Sequence, residues 1–247
     1  MNLDRVIAVR NTKTIYRDGD KCIKVFHENF SKADVLNEAL NQARVEETGL
    51  NIPRILEVTM VEGKWAIVSE YIKGKTLDRL MIEEPEKKQE YMDMLIDLHL
   101  NIHGFKCTLL TRLKDKMSKK ISESDFEATA RYDLYSRLLE MPKHNKLCHG
   151  DFCPSNVIVN EEGTPFVIDW SHATQGNASA DVAKTCLSFW LDGDAEGAKY
   201  YVTEYCKRSG TETKYVGKWI PIVTASLSIA GTEKEREFKN FWNTEVN

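Results

Sequence analysis

The chain has 247 residues, 42% of them hydrophobic and 29% charged, which is enough to bury a real core in one large domain or two lobes. A formal net charge of -4 gives no overall basic field, so neither nucleic acid nor an anionic membrane is an expected partner. No apolar h-region opens the chain, the longest weakly polar run (Ile220 to Ala230) is too short to cross a bilayer, and six cysteines without C-x-x-C pairs suit reduced thiols, so a cytoplasmic protein without a membrane segment is expected.

In chain order, RVIAV (5–9), TKTIY (12–16) and KCIKVF (21–26) read as short strands, the last two joined by a strong turn at Asp18-Gly19. Ser31 followed by Asp34 resembles a capping box, and a helix is predicted from there to Thr48, stopped by Gly49 and Pro53. Residues 54–72 return to strand character, with a turn at Glu62-Gly63. Further helices are predicted over Pro85 to His103, Ser124 to Met141, Ser179 to Leu191, Ala195 to Arg208, Glu212 to Ala230 and Thr232 to Trp242. This pattern predicts an α+β chain in two lobes: a small β-rich lobe over 1–72 and a larger, mostly helical lobe over 73–247, with a ligand cleft between them.

The most informative stretch is LCHGDFCPSNVIVNEEGTPFVIDW, residues 147–170. A strand at Val157 to Val159, a turn at Asn160 to Gly163 and a return strand at Phe166 to Ile168 would fold Asn156 back beside Asp169. Amide and carboxylate oxygens gathered at one end of a hairpin suit Mg²⁺, a hard cation that usually takes one or two protein carboxylates. Asp151, on the loop just before, would face a substrate hydroxyl. A catalytic Asp, an Asn five positions later and a second metal-binding Asp are the recurring parts of phosphoryl transfer.

At these residues the chain resembles the aminoglycoside phosphotransferase and choline kinase superfamily: HGDFCPSN fits H-G-D-x-x-P-x-N, and VIDW fits I-D-W/F. The order of features is similar from Lys24 in CIKVF to Asp181 in ASADVAK, a residue expected to be structural. The resemblance implies a bilobal protein kinase-like fold, ATP or GTP with Mg²⁺, and transfer of the γ-phosphoryl group to a hydroxyl of an aminoglycoside-, choline- or sugar-like acceptor. It also implies a monomer or weak homodimer with a small-molecule partner.

Around the nucleotide, Lys24 alternates with Ile23 and Val25 and so projects from the opposite sheet face, from which its ammonium can reach phosphates. Its expected partner is Glu38, ahead of Glu46 and Glu47 on the same helix. Backbone groups near Glu70 and Ile72 would bind an adenine edge. VRNTKTI carries no glycine where protein kinases place G-x-G-x-x-G, which leaves Asn11 to Thr14, with Thr14 chosen among them, as candidate phosphate contacts.

Other signals are set aside. GKT at Gly74 to Thr76 lacks the first glycine of a P-loop, and HLNIH at 99–103 lacks the Glu of H-E-x-x-H, so His99 and His103 read as core residues. Cys148, His149 and Cys153 match no structural zinc spacing. The basic run from Lys106 to Lys120 has six Lys or Arg against Asp115 and reads as solvated surface, its functional alternative being an anionic or phosphate-bearing acceptor. Trp190, Tyr215, Trp219 and Trp242 are the candidates for an aromatic cage around a choline-like acceptor. A protein Ser/Thr kinase is disfavoured because SHATQGNAS leaves no room for an activation segment, and a non-catalytic nucleotide-binding regulator because all three of Asp151, Asn156 and Asp169 are present.

Overall fold

Alternating apolar residues and tight turns set the first part of the chain. A computed structural model describes residues 3, 5–10, 12–227 and 232–246, in which β1 (Arg5–Val9), β2 (Lys13–Asp18) and β3 (Lys21–Phe26) are followed by α1 (Lys32–Glu46), β4 (Ile55–Val61) and β5 (Lys64–Glu70). Then come β6 (Gly74–Thr76), α2 (Leu77–Glu83), α3 (Lys88–Ile102), α4 (Leu113–Ser122), α5 (Ala128–Glu140), β7 (Lys146–Cys148), β8 (Val157–Asn160), β9 (Pro165–Val167) and β10 (Thr174–Gly176). The chain continues as α6 (Ala178–Leu191), α7 (Ala195–Ser209), α8 (Thr213–Gly217), α9 (Ile220–Ser226) and α10 (Glu233–Phe241). None of the described helices is long and apolar enough to cross a membrane.

The chain forms two compact units, Met1–Pro85 with Pro154–His172, and Glu86–Cys153 with Ala173–Asn247. In the first, five antiparallel strands lie in the order β1-β2-β3-β5-β4. Because side chains alternate across a strand, Ile23, Val25, Ala66 and Val68 form one core layer, while Phe26 and Ile67 pack on Val35 and Ala39 of α1 on the other face. Ser31 caps α1 by accepting from the Asp34 amide at 3.1 Å. A second sheet of the same unit has the order β6-β8-β9.

That second sheet explains why the unit takes in residues beyond the expected boundary at 72. β6 pairs with β8, α2 packs on the turn at Pro154–Asn156, and the turn at Trp170–His172 packs on α1. It also accounts for the GKT signal: Gly74 lies opposite Asn160 in the ladder, and a Cβ there would fall 2.1 Å from the Val159 carbonyl oxygen.

In the second unit β7 pairs antiparallel with β10, and α6 packs along α7. Trp219, Tyr201, Phe152 and Leu138 are fully enclosed there. The helix expected over Glu212 to Ala230 is two helices, because Pro221 lacks the N–H an uninterrupted helix needs and sits instead in the first turn of α9. Its expected end at Ala230, like the phosphate-contact candidate Asn11, lies outside the described residues. The short pieces β6, α2, β7 and β10, and the helix α4 within the basic run, are additions to the predicted elements. All six cysteines are free thiols.

Candidate active site

The first unit gathers four charges. The β2–β3 register sets Ile15 opposite Lys24, so Lys13 and Lys24 share a sheet face, the face that α1 covers with Glu38. Lys24 Nζ lies 2.5 Å from Glu38 Oε1 and 3.5 Å from Asp169 Oδ1, and Lys13 Nζ lies 3.1 Å from Asp169 Oδ2 and 3.7 Å from Glu38 Oε1. Two ammoniums and two carboxylates thus alternate around a closed ring with no net charge. Glu46, the competing candidate on the same helix, instead accepts the Ile55 amide at 2.7 Å, and Glu47 is the C-cap.

Asp169 is the unusual member of this ring. The Ile168 amide donates to the Asn156 carbonyl at 2.9 Å and Val157 pairs with Val167, so the hairpin closes with Asn156 beside the residue preceding Asp169. Asp169 itself adopts φ 62, a left-handed conformation that a non-glycine residue takes only under constraint. Its Oδ1 is buried and makes no hydrogen bond. Burial works to raise its pKa, but the Lys24 and Lys13 ammoniums outweigh that and hold the carboxyl far below the usual carboxylate range. Burial likewise opposes the charge on Lys24, and Asp169 and Glu38 reverse the effect, raising its pKa.

Thr14 is not part of this ring: it pairs with Val25 and faces the other side of the sheet from Lys24. The Glu70 amide donates to the Arg54 carbonyl at 3.0 Å and its carboxylate takes the Arg54 guanidinium at 2.5 Å, which leaves neither group open to a base. Ile72 follows the end of β5 in irregular backbone, half-buried. Lys13, inside the stretch from Asn11 to Thr14 expected to contact phosphate, enters the ring through its charge and not through a hydroxyl.

The second unit holds Asp151 on a loop anchored by one face of α6. Asp181 accepts the His149 amide at 2.6 Å and the Gly150 amide at 2.8 Å, Thr185 Oγ1 donates to the Phe152 carbonyl at 2.8 Å, and Lys184 donates to the Gly150 carbonyl. Residues 181, 184 and 185 fall at i, i+3 and i+4, so one helical stripe grips four successive loop residues. Gly150 has φ 79, which lets two consecutive amides point at one carboxylate. Lys184 Nζ also lies 2.9 Å from Asp151 Oδ1, with that aspartate side chain 45% exposed and open to solvent.

His99 and His103 complete the anchor rather than a metal site. Their Nδ1 atoms take hydrogen bonds from the hydroxyls of Tyr201 (2.5 Å) and Tyr205 (2.6 Å), which leaves each Nε2 proton for Asp181, at 3.2 and 3.4 Å. Burial, and then the neighbouring His103, lower the His99 imidazole to about 3, so it is neutral. Asp181, by contrast, stays ionised: burial disfavours its charge, but hydrogen bonds from the two imidazoles more than offset this. These three side chains come close enough to hold an ion, yet every one of their facing nitrogens already has a partner.

The phosphotransferase enzyme family matches residues 9–215. Among proteins of curated function none matches the chain by sequence. Among solved structures, a choline/ethanolamine kinase family protein from Mesorhizobium loti is similar at 15% identity and a TM-score of 0.62, covering 97% of this chain and 85% of that one. The aminoglycoside phosphotransferase APH(4)-Ia, in a ternary complex with ADP and hygromycin B, is similar at 13% identity and a TM-score of 0.64, over 98% and 92% of the two chains. The choline kinase LicA from Streptococcus pneumoniae gives 17% identity and a TM-score of 0.62, over 100% and 92%. At such identities the likeness is one of fold, and the fold is protein kinase-like. The match across most of its length makes this chain a member of the phosphotransferase enzyme family.

Proposed function

We propose that this protein is an ATP-dependent kinase of small molecules, with GTP as the other possible donor, which moves the γ-phosphoryl group to an acceptor hydroxyl with the help of Mg²⁺. The observation that carries this reading is the ring of Lys13, Glu38, Lys24 and Asp169, in which a carboxylate oxygen is buried without a hydrogen bond. A group left in that condition costs free energy unless a ligand completes it. Nucleotide complexes of similar folds, with ADP or with AMP-PNP, support the same reading.

The donor set fits a hard cation: Asp169 offers carboxylate oxygen and Asn156 amide oxygen, and neither nitrogen nor sulfur ligands stand in the ring. Asp169 and Asn156 would hold Mg²⁺, which when bound would supply positive charge against the negative charge developing in phosphoryl transfer. Lys24, oriented by Glu38, contacts the donor's phosphates, and backbone groups of Glu70 and Ile72 take its base. The Glu70 amide and carboxylate are engaged with Arg54, so the part of Glu70 left for the base is its carbonyl. Asp151 orients the acceptor hydroxyl and takes its proton as the new O–P bond forms and the bond from the γ-phosphorus to the bridging oxygen breaks. Its anchored loop keeps that carboxylate in place, so the rate comes from alignment and charge neutralisation.

The test is ATP consumption by the full chain with and without Mg²⁺, with water and with a panel of alcohols, beside Asp151→Asn. Turnover that requires the divalent ion and is lost in the variant is expected. Turnover unchanged by chelation or by Asp151→Asn would overturn the assignment.

A further inference from the structure

Helix α6 runs through the interior of the second unit, with ten of its fourteen residues buried. It carries one cation, Lys184, whose side chain is 16% exposed. Taking an ammonium this far out of water costs free energy unless acceptors replace the solvent. Lys184 has two such acceptors on consecutive residues, the Gly150 carbonyl and, at 2.9 Å, Asp151 Oδ1. HGDFCPSN itself contains no lysine or arginine, so the cation at Asp151 is brought from a separate element.

Holding the loop does not require that charge. Asp181 already accepts the His149 and Gly150 amides, and Thr185, a neutral donor on the same helical stripe, holds the Phe152 carbonyl at 2.8 Å. Nor does the Asp151 carboxylate require a cation to be tolerated, since it is 45% exposed and water can reach it. An ion pair with one partner so exposed adds little to stability. What an ammonium adds beyond a neutral anchor is direction and charge. With Oδ1 held, the carboxylate cannot turn freely about its Cβ–Cγ bond, and the shared bond to Gly150 ties that orientation to the loop backbone.

Resting on the assignment of Asp151 as the residue that meets the acceptor hydroxyl, we infer that Lys184 is a positioning residue of the phosphoryl transfer, acting through the Asp151 carboxylate. It fixes the edge of the carboxylate that is offered to the hydroxyl and favours the ionised form that can take the proton.

A double-mutant cycle on the full chain tests this. ATP consumption is measured with Mg²⁺ and with water, glycerol, choline and glycerate as acceptors, in wild type, Lys184→Met, Asp151→Asn and the double variant, with Lys184→Arg alongside. Lys184→Met should lower kcat about 10- to 100-fold with the KM for ATP in place, and Lys184→Arg should recover most of the loss. In the Asp151→Asn background the same change should cost about twofold or less, because the carboxylate it positions is gone. The acid limb of the kcat/KM profile should move up by about one pH unit in Lys184→Met and stay in place in Lys184→Arg. The other charges whose fields reach this place, Lys116 and Lys120 of α4 and Asp181 of α6, are the same in every variant. Where Asp151→Asn falls below detection, the pH profile decides. Losses that multiply across the cycle, an acid limb that does not move, or a kcat that falls only in step with a lowered urea midpoint would each overturn the inference and leave the kinase reading standing. Wild type and Asp151→Asn turning over alike, or no turnover with any acceptor, would overturn that reading and the inference with it.

Discussion

Asp169 and Asp181 are both inward-turned carboxylates, the first with 26% of its side chain exposed and the second with 1%. Their partners differ in kind. Asp181 receives four N–H groups, two from backbone and two from imidazole, which together use both its oxygens. Asp169 faces two ammoniums, keeps one oxygen without a hydrogen bond, and sits on a left-handed backbone. A saturated carboxylate fixes structure, because any ligand would have to break hydrogen bonds to reach it. An under-saturated one, held by cations that can turn to phosphate instead, is poised to exchange partners. Under the proposed function, the difference separates a residue that shapes the loop from one that would bind.

Asp169→Asn breaks the comparison most sharply. It should lower kcat for ATP turnover by about 1,000-fold or more if Asp169 holds the proposed Mg²⁺, because an amide cannot replace a charged oxygen there. The melting temperature should fall as well, since Lys13 and Lys24 are left facing Glu38 alone, so turnover is compared at a temperature where the variant is folded. A variant that melts early and retains turnover would place Asp169 among structural residues. Asp181→Ala should act on stability first. Leaving the His149 and Gly150 amides buried without an acceptor is expected to cost about 3 kcal/mol of unfolding free energy, read from a urea transition. An unchanged urea midpoint would show that the loop does not need its anchor.

The same contrast has a pH signature. His99 is held neutral, with its folded pKa lowered to about 3. Between the ordinary imidazole value near 6.5 and that folded value, the unfolded chain takes up a proton that the folded chain refuses, so stability falls as pH falls. His99 should contribute a slope of about 1.4 kcal/mol per pH unit in that window and nothing above it. Urea unfolding from pH 7 downward, compared with His99→Gln, measures it. A variant with the wild-type slope would sink the idea.

How much of this was legible in the sequence depends on the distance over which each feature is set. The Asn156–Asp169 hairpin and the projection of Lys24 follow from strand alternation and a turn, which are local. Glu38 was legible because helical position chose it over Glu46 and Glu47. Lys184 was hidden, since its contact with Asp151 exists only after α6 docks on the loop at 149–152, and Thr185 and Asp181 in DVAKT gave a hint only as a one-face stripe. Helix α4 was masked by its lysines: Leu113, Met117 and Ile121 give it a single apolar stripe inside a run that composition reads as surface. The pairing of β7 with β10 is three residues long and carries no periodicity to detect.

Lys13 offers the smallest and most discriminating test of the ring. Its stretch lacks glycine and carries hydroxyls, yet it is the Lys13 ammonium that reaches Asp169, at 3.1 Å, while its approach to Glu38 is 3.7 Å. Lys24 has the tighter carboxylate and the deeper role, so Lys13 should act as a shared counter-charge that turns between Asp169 and the donor's phosphates. Lys13→Gln is therefore expected to raise the KM for ATP about tenfold or less with kcat nearly unchanged, the pattern of a group that binds ground state and transition state alike. Because its side chain is only 14% exposed, the loss should change little as salt is raised. A large fall in kcat at constant KM would instead make Lys13 a partner of the transferring phosphoryl group, and a loss that vanishes at high salt would mean that its charge acts from the solvent-exposed surface.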